Sequence, residues 1–456
     1  MNLFGLKLVL ALAISPIFSV AALAGVDQCK PIGWVTRSGR TSTAFEVTGG
    51  GDATPITVST FDDLQKYAKD SSPRVIYIDG ILGDGWSGTS GSRLNITASN
   101  KTIVGLRPGT LLKAPIHITS GASNIIIRNI VIRGPGSNDD QAWDNLTIEG
   151  ESKNIWIDHC EFWDGQDGNA DVVKGSDNVT FTWCIFGYEK KSEHNYSNLI
   201  GSSDNESVSE GKLNVTYMFN WWKAANQRKP RCRYGNVHLV NNLLTGDASV
   251  TSGGSVLGVS AGHMCTVRTE RNVFIDENNP IYMGNANGTG VNEVIDNIFT
   301  NCTGNTKGTG TSFTPPYEYT SFMLDASEVE AAVRANAGAT LNSPTECGAS
   351  TPESSSSAPE SSESTSESSS SMTLESSSSA VQSSESMALP GKVAPLQNAY
   401  RVNIFDINGK LVRKMNHVPQ TALKDTQNLS KGLYPGVYLV KAAAPGDSRQ
   451  FFIVAR

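Results

Sequence analysis

Basic charge is scarce in this sequence. Its 456 residues carry 37 Lys and Arg against 44 Asp and Glu, a formal charge of −7, and residues 348–390 alone hold six Glu and no Lys or Arg. The remainder is nearly neutral and gives no electrostatic argument for nucleic acid, although an acidic polymer could bind at a local basic patch. Long apolar runs are equally few. Only the opening "MNLFGLKLVLALAISPIFSVAALA" is strongly apolar, with one early Lys and an Ala22-Leu23-Ala24 ending. That is the arrangement of a secretory signal peptide over residues 1–24. No later run is long enough to cross a bilayer, so the exported chain is expected to be soluble or externally anchored. The seven cysteines, Cys29, Cys160, Cys184, Cys232, Cys265, Cys302 and Cys347, form no Cys-x-x-Cys or Cys/His zinc spacing. In an exported protein some are expected to pair, with at least one left over.

The segment 348–390, with "ESSSSAPESSESTSESSSSMTLESSSSAVQSSES", lacks the apolar residues that offset chain entropy, and its charges have one sign. It reads as a disordered, extended linker. Beyond it, residues 391–456 contain "YRVNIFDINGKLVRKM", "LYPGVYLVKA" and "RQFFIVAR", with apolar alternation around an Asn-Gly turn. This predicts a small β-sandwich-like module. Its "FDINGKLV…GVYLVK" pattern resembles the C-terminal sorting domains recognised by type IX secretion systems; a carbohydrate-binding β-module is the competing reading. The resemblance implies export machinery as a partner and a secreted or cell-surface location.

Residues 25–347 repeat. "NIIIRNIVI" from Asn124, "NIWIDHCEF" from Asn154, "NVTFTWCIF" from Asn178, "NVTYMFNWW" from Asn214, "NVHLVNNLL" from Asn236, "TVRTERNVF" from Thr266 and "VNEVIDNIF" from Val291 share one register. Helix-forming stretches are confined chiefly to "TFDDLQKYAKD" and "DASEVEAAVRANAG". A strand returning at every turn with little intervening helix predicts an all-β, right-handed parallel β-helix. Equivalent positions then stack about 4.8 Å apart. The seventh slot holds Cys160, Cys184, Asn220, Asn242, Asn272 and Asn297, an expected inward ladder. Cys160 and Cys184 are a candidate disulfide; two buried free thiols are the alternative.

Acidic residues concentrate in "DGQDGNADVVKGSDNVTF". Asp167 and Asp171 enter one coil and Asp144, in "WDNLTI", enters the coil before it. Stacking brings these three carboxylates to one face, where hard oxygen ligands suit Ca²⁺. Asp164 and Asp177 read as turn residues. A second cluster, "NQRKPRCRYG", places Arg228, Lys229, Arg231 and Arg233 within six residues. Arg231 and Arg233 project to one side of an extended strand, and their guanidinium forks suit the carboxylates of acidic sugars. The bland alternatives are Asp-Gly turns and an exposed basic strand.

"NIWIDHCEF", "DGNADVVKGSDNVTF", "NLIGSSD" and "RKPRCRYGNVHLVNN", in this order, resemble the pectate lyases of polysaccharide lyase family 1 over roughly Val47 to Asn301. The resemblance implies a monomeric β-helix that binds polygalacturonate and cleaves it by Ca²⁺-assisted β-elimination. Asp144, Asp167 and Asp171 match the family's metal ligands, Arg228 its catalytic base and Arg233 its second cleft arginine, while Asp158 and His159 fall in a structural signature. One departure is Tyr196, which occupies the slot of the family's cleft lysine. Lys190 or Lys191, and His194, are the expected substitutes at the substrate, alongside Arg231 and Arg233. A pectin lyase acting on methyl-esterified chains would not need the aspartates. A hydrolase would need paired acids around a water, and a non-catalytic pectin-binding surface protein would need neither cluster to be complete.

Overall fold

The computed structural model describes residues 29–347, apart from 87–91, 138–142, 252–255 and 286, together with four C-terminal strands within 399–455. The expected signal peptide and Ser/Glu-rich linker lie outside the described residues. The chain divides into two compact units, Met1–Ser354 and Ser355–Arg456.

In the first unit three parallel sheets wind around one another. They hold ten, eight and nine strands, running in chain order from Ile56–Val58 to Val291–Ile295, from Leu94–Ile96 to Ile281–Tyr282, and from Ile81–Leu82 to Ile298–Thr300. This is the right-handed parallel β-helix. Each repeat unit, however, is two strands rather than one. Lys153–Asp158 belongs to the ten-stranded sheet and Glu161–Trp163 to the nine-stranded sheet, and the chain bends between them at His159. His159, Trp183, Phe219, Asn241, Arg271 and Asp296 all sit at this corner with left-handed backbones, φ 48–61°. A period-two pattern continues across such a corner, which is why a sequence reading merges the pair.

The ladder stands immediately after that corner. The backbone N–H groups of Cys184, Asn220, Asn242 and Asn272 each donate to the side-chain Oδ1 of the next coil's Asn at 2.8 Å. The amide Nδ2 groups of Asn220, Asn242, Asn272 and Asn297 donate in turn to Phe181, Tyr217, Leu239 and Thr269 carbonyls. Above the Asn residues, Cys160 and Cys184 are free thiols. Stacked residues have parallel rather than converging Cβ directions, so each sulfur instead meets carbonyls of its own and the preceding coil: Asp158 and Ile127 for Cys160, Thr182 and Ile157 for Cys184. The disulfides are Cys29–Cys347 and Cys232–Cys265, with Cα separations of 4.8 and 5.9 Å.

Both expected helices form, over Phe61–Lys69 and Ala326–Asn336. The first buries Leu64 and Ala68 against the first coils; the second starts on an Asp325/Glu328 capping box. Residues near both ends of this unit cover the ten-stranded sheet. Trp34 N donates to Thr216 Oγ1, and Tyr317 Oη meets both Thr216 Oγ1 and His238 Nδ1 at 2.8 Å. Beneath them Asp158, fully buried, bonds Arg128, His159 and Thr182. That cluster anchors the tail, because Arg128 and Asn129 also reach the Glu346 and Leu341 carbonyls.

The second unit is one antiparallel sheet, in which Ala399–Asp406 lies between Leu411–Pro419 and Gly436–Ala444, with Asp447–Ala455 outermost. The strands flanking Asn408-Gly409 pair as a hairpin; the turn itself lies outside the described residues. No helix among the described residues is long and apolar enough to cross a membrane.

Acid should loosen the covered face. Burial pushes His238 below its usual 6.5, so the unfolded chain takes up that proton first and stability falls as pH drops below 6.5. Burial opposes ionisation of Glu270, but His238 and Arg268 prevail and hold it at about 2, well below 4.5. Its contribution is complete above pH 4.5 and fades as pH falls toward 2. The stability advantage of the parent protein over His238→Asn, a comparison in which the other carboxylates largely cancel, should therefore be constant above pH 6.5 and shrink below it in urea denaturation from pH 8 to 4. A difference that does not change between 6.5 and 5 would contradict the assignment.

Candidate active site

The eight-stranded sheet carries a single row of side chains outward. Ile148, Val172, Ile200, Cys232 and Ala261 fill the interior. The alternate positions Thr147, Asp171, Leu199, Arg231 and Ser260 therefore stack on the opposite face, with Thr147 paired to Asp171 and Arg231 to Leu199 and Ser260. Stacking alone thus sets an aspartate and an arginine on the same row, two strands apart.

Asp171 stands on this row, and Asp144 and Asp167 come next to it from the turns that precede the strands. Asp144 and Asp171 are buried. Thr147 donates to Asp144 Oδ2 at 2.9 Å and Leu199 N to Asp171 Oδ1 at 2.8 Å. Gly168 lies between them: a Cβ there would meet Asp144 Oδ1 at 2.7 Å and Asp171 Oδ1 at 3.4 Å. Any side chain at 168 would fill the gap that the carboxylates share. Asp167 is engaged differently, for its Oδ1 bonds His194 Nε2 at 2.9 Å. Among the described residues no three His, Cys, Asp or Glu side chains stand together closely enough to hold a metal ion as they are. Stacking brings two of the expected three carboxylates together and leaves the third on His194.

Their protonation shows what the pair lacks. Burial first, then the Asp167 charge, pushes Asp144 up to about 7 from 3.8. Burial and Asp144 likewise raise Asp171 well above the usual carboxylate range. The His194 bond holds Asp167 below it. Asp144 Oδ1 is buried without a partner. An unpaired oxygen beside a second buried carboxylate fits a hard cation, which would answer both the repulsion and the missing bond.

Arg228 arrives on the coil of Arg231, two strands beyond that of Asp171. Its carbonyl accepts from Asn198 N at 2.6 Å, its backbone is left-handed at φ 62°, and its Nη1 is buried without a partner. Tyr196 lies against it, with the guanidinium carbon 4.7 Å from the ring centre, and the same ring packs on His194 at 4.1 Å. Arg231 has an unpartnered buried Nε; burial, then Arg233 and Arg228, lower its pKa. Arg233 is tied to Asp204 Oδ1 and to the Gly201 carbonyl, at 2.6 and 2.8 Å. Asp164 sits in the turn after Glu161–Trp163 and accepts from the backbones of Glu189 and Lys190, whereas Asp177, expected in a turn, is the first residue of the strand Asp177–Thr182 and accepts from Asn214 N.

The lysines fall elsewhere. Lys190 is exposed and reaches the Pro135 carbonyl, and Lys191 is exposed. Among the described residues neither bonds the aspartates or the arginines. Lys229, counted with the cations in the sequence, is buried and paired with Glu277. Its place among the cations rested on sequence proximity alone; the extended strand begins only at Arg231. The His194–Asp167 bond and the Tyr196–Arg228 stack were signalled only by Tyr196 standing out of pattern.

The family model described as pectate lyase matches residues 9–342. The chain belongs to the pectate lyase family. This pectate lyase is 33% identical over 304 residues to a pectate trisaccharide-lyase of Bacillus licheniformis, covering 64% of this chain and 82% of the relative. It is 34% identical over 245 residues to one of Thermotoga maritima, covering 52% and 63%. A pectate lyase structure from Bacillus sp. N165 in complex with trigalacturonate shares the fold, with TM-score 0.55 and 24% identity over 68% of this chain and 98% of that one. Residues 388–454 match the secretion system C-terminal sorting domain, so the enzyme is secreted or displayed at the cell surface.

A carboxylate whose folded pKa is raised costs stability once the unfolded chain has ionised, above 3.8, and costs it in full above about 7. In chelator at pH 8, Asp144→Asn should therefore melt several degrees above the parent pectate lyase, and at pH 4 the two should coincide. A lower melting temperature at pH 8 would contradict the strained carboxylate pair.

Proposed function

We propose that this pectate lyase cleaves α-1,4-linked polygalacturonate by Ca²⁺-assisted β-elimination, releasing 4,5-unsaturated oligogalacturonates. The observation that carries the reading is the buried Asp144–Asp171 pair, with an unpartnered oxygen, along the same sheet as the unpartnered Nη1 of Arg228, whose coil lies two strands beyond that of Asp171. Asp144 and Asp171 would hold the calcium, with Asp167 as a third ligand on release from His194. Calcium supplies charge neutralisation to a uronate carboxylate, which acidifies the adjacent C5–H.

The remaining work falls to the chain's own groups. Arg231, half-buried on the outward row with a buried, unpartnered Nε, binds a uronate carboxylate through its fork. Arg233 does the same at its free Nη2 edge while Asp204 and Gly201 fix its direction. Arg228 takes the C5 proton. The electron pair left at C5 forms the C4=C5 bond, the C4–O4 bond breaks, and the departing oxygen is protonated from solvent. Tyr196 takes the place of the usual lysine and sets the orientation of Arg228 rather than contributing charge. The C-terminal module hands the enzyme to export machinery, and the signal segment, catalytic domain and linker divide near residues 24, 347 and 390.

A pectin lyase acting on esterified chains is disfavoured, since buried aspartates beside the cleft would have no cation to meet. Mature protein mixed with polygalacturonate and calcium should generate ultraviolet absorbance from the conjugated double bond, and chelator should abolish it. Reducing ends appearing without that absorbance would show hydrolysis and overturn the reading. Arg228→Ala should lose at least about a hundredfold in kcat with little change in thermal unfolding; retained turnover would remove Arg228 from the base role.

A further inference from the structure

Lys229 follows Arg228 directly, and its ammonium is buried among partners other than the site carboxylates. It donates to the Ala225 carbonyl at 3.0 Å and is paired with Glu277, which comes from two coils further along. Both side chains are almost wholly inaccessible, at 1% and 0%. Such a pair adds no stability over apolar side chains of the same volume, because desolvation of the two charges offsets their attraction. Its effect is directional. The bond to Ala225 closes the segment Ala225–Lys229 onto itself, so that one side chain fixes both ends of the stretch holding Arg228. The segment's outer backbone is also held: Asn226 N bonds Asn195, Ser197 N bonds the Gln227 carbonyl and Asn198 N bonds that of Arg228. On the other side the following coil reaches only the flanking residues, Leu257 N bonding the Asn226 carbonyl and Ser260 N that of Pro230, so without the inner clamp the left-handed Arg228 would keep a backbone bond of its own only from Asn198.

We propose that Lys229 and Glu277 are positioning residues for Arg228, setting its guanidinium against the buried carboxylates through the closed Ala225–Lys229 segment. Glu277 is held in place for this by its own backbone, whose carbonyl accepts from Thr303 N at 2.9 Å. Burial raises the Glu277 pKa while Lys229 opposes it, and Glu277 Oε1 has no other partner. Lys229 is therefore its main recognition, and each residue orients the other. The proposal rests on Arg228 acting as the base.

The test uses the mature protein, polygalacturonate, calcium and the ultraviolet assay. Lys229→Met/Glu277→Leu removes both charges and keeps the volume, so it should fold. Its kcat should fall about tenfold or more while KM stays within about twofold, the pattern of a base displaced without loss of substrate binding. Glu277→Gln, which keeps shape and a hydrogen bond to Lys229, provides a second route if the double variant does not fold, with the same split expected. Asn272→Ala, removing a ladder rung at another corner, should lower the melting temperature without changing kcat. Wild-type kcat in the folded pair variants, with Arg228→Ala inactive, would overturn the positioning role and leave the base assignment standing. Equal kcat losses in the pair variants and in Asn272→Ala would also overturn it. Active Arg228→Ala would instead reject the base assignment and this inference together.

Discussion

Registered stacking of one coil on the next is the constraint from which the rest of this molecule follows. Backbone pairing at about 4.8 Å converts sequence spacing into axial position, so each coil must turn its corners at matching places however long its loops are. The Asn ladder enforces this at one corner. Each amide accepts from the N–H of the coil before it and donates to a carbonyl there, so a slipped coil would strand two buried polar groups at once. The left-handed residues just ahead of the ladder make the bend compact enough for those groups to meet.

The same stacking creates the electrostatic problem at the cleft. Two coils that must lie in register bring Asp144 and Asp171 to either side of Gly168, whether or not a cation is there to separate their charges. Burial then makes each carboxylate costly to ionise. The surrounding chain relieves only part of this, through Thr147 and the Leu199 N–H. Around the arginines the opposite holds. Asp204 and Gly201 anchor Arg233, whereas the buried atoms Arg228 Nη1 and Arg231 Nε are left without partners. Unsatisfied acceptors and unsatisfied donors thus face the same groove. A polyanion together with a divalent cation is the ligand pair that complements both.

Much of this was legible in the sequence because a solenoid writes its geometry as a period. The in-phase lines from Asn124 to Val291 gave the stacked sheets, the ladder slots and the coils that carry Asp144, Asp171 and Arg231. Features that depend on side-chain direction rather than coil number were not legible. Adjacent slots do not imply a disulfide for Cys160 and Cys184, since stacking leaves their Cβ directions parallel; the real partner of Cys29 is 318 residues away, at Cys347. Lys229 was counted with the arginines on sequence proximity alone, which says nothing of direction, and its ammonium is buried against Glu277. Lys190 and Lys191 were candidates on proximity alone, and the loop carries Lys190 to Pro135 instead.

Tyr196 marks where the family pattern gives way to a different balance of charge. A lysine in its slot would add a cation beside Arg228, Arg231 and Arg233 and repel the guanidinium it adjoins. The aromatic ring at 4.7 Å does the reverse, since its face attracts a cation. Asp144, Asp167 and Asp171 act on Arg228 in the same sense, each stabilised by its charge. In the proposed reaction this guanidinium must release a proton before it can accept one. A cation seated between Asp144 and Asp171 offsets the carboxylates, leaving the ring of Tyr196 as the principal attraction that remains. In the proposed reaction base and metal site would therefore not act independently, since whatever fills the carboxylate pair also changes the attraction that holds the Arg228 guanidinium in place.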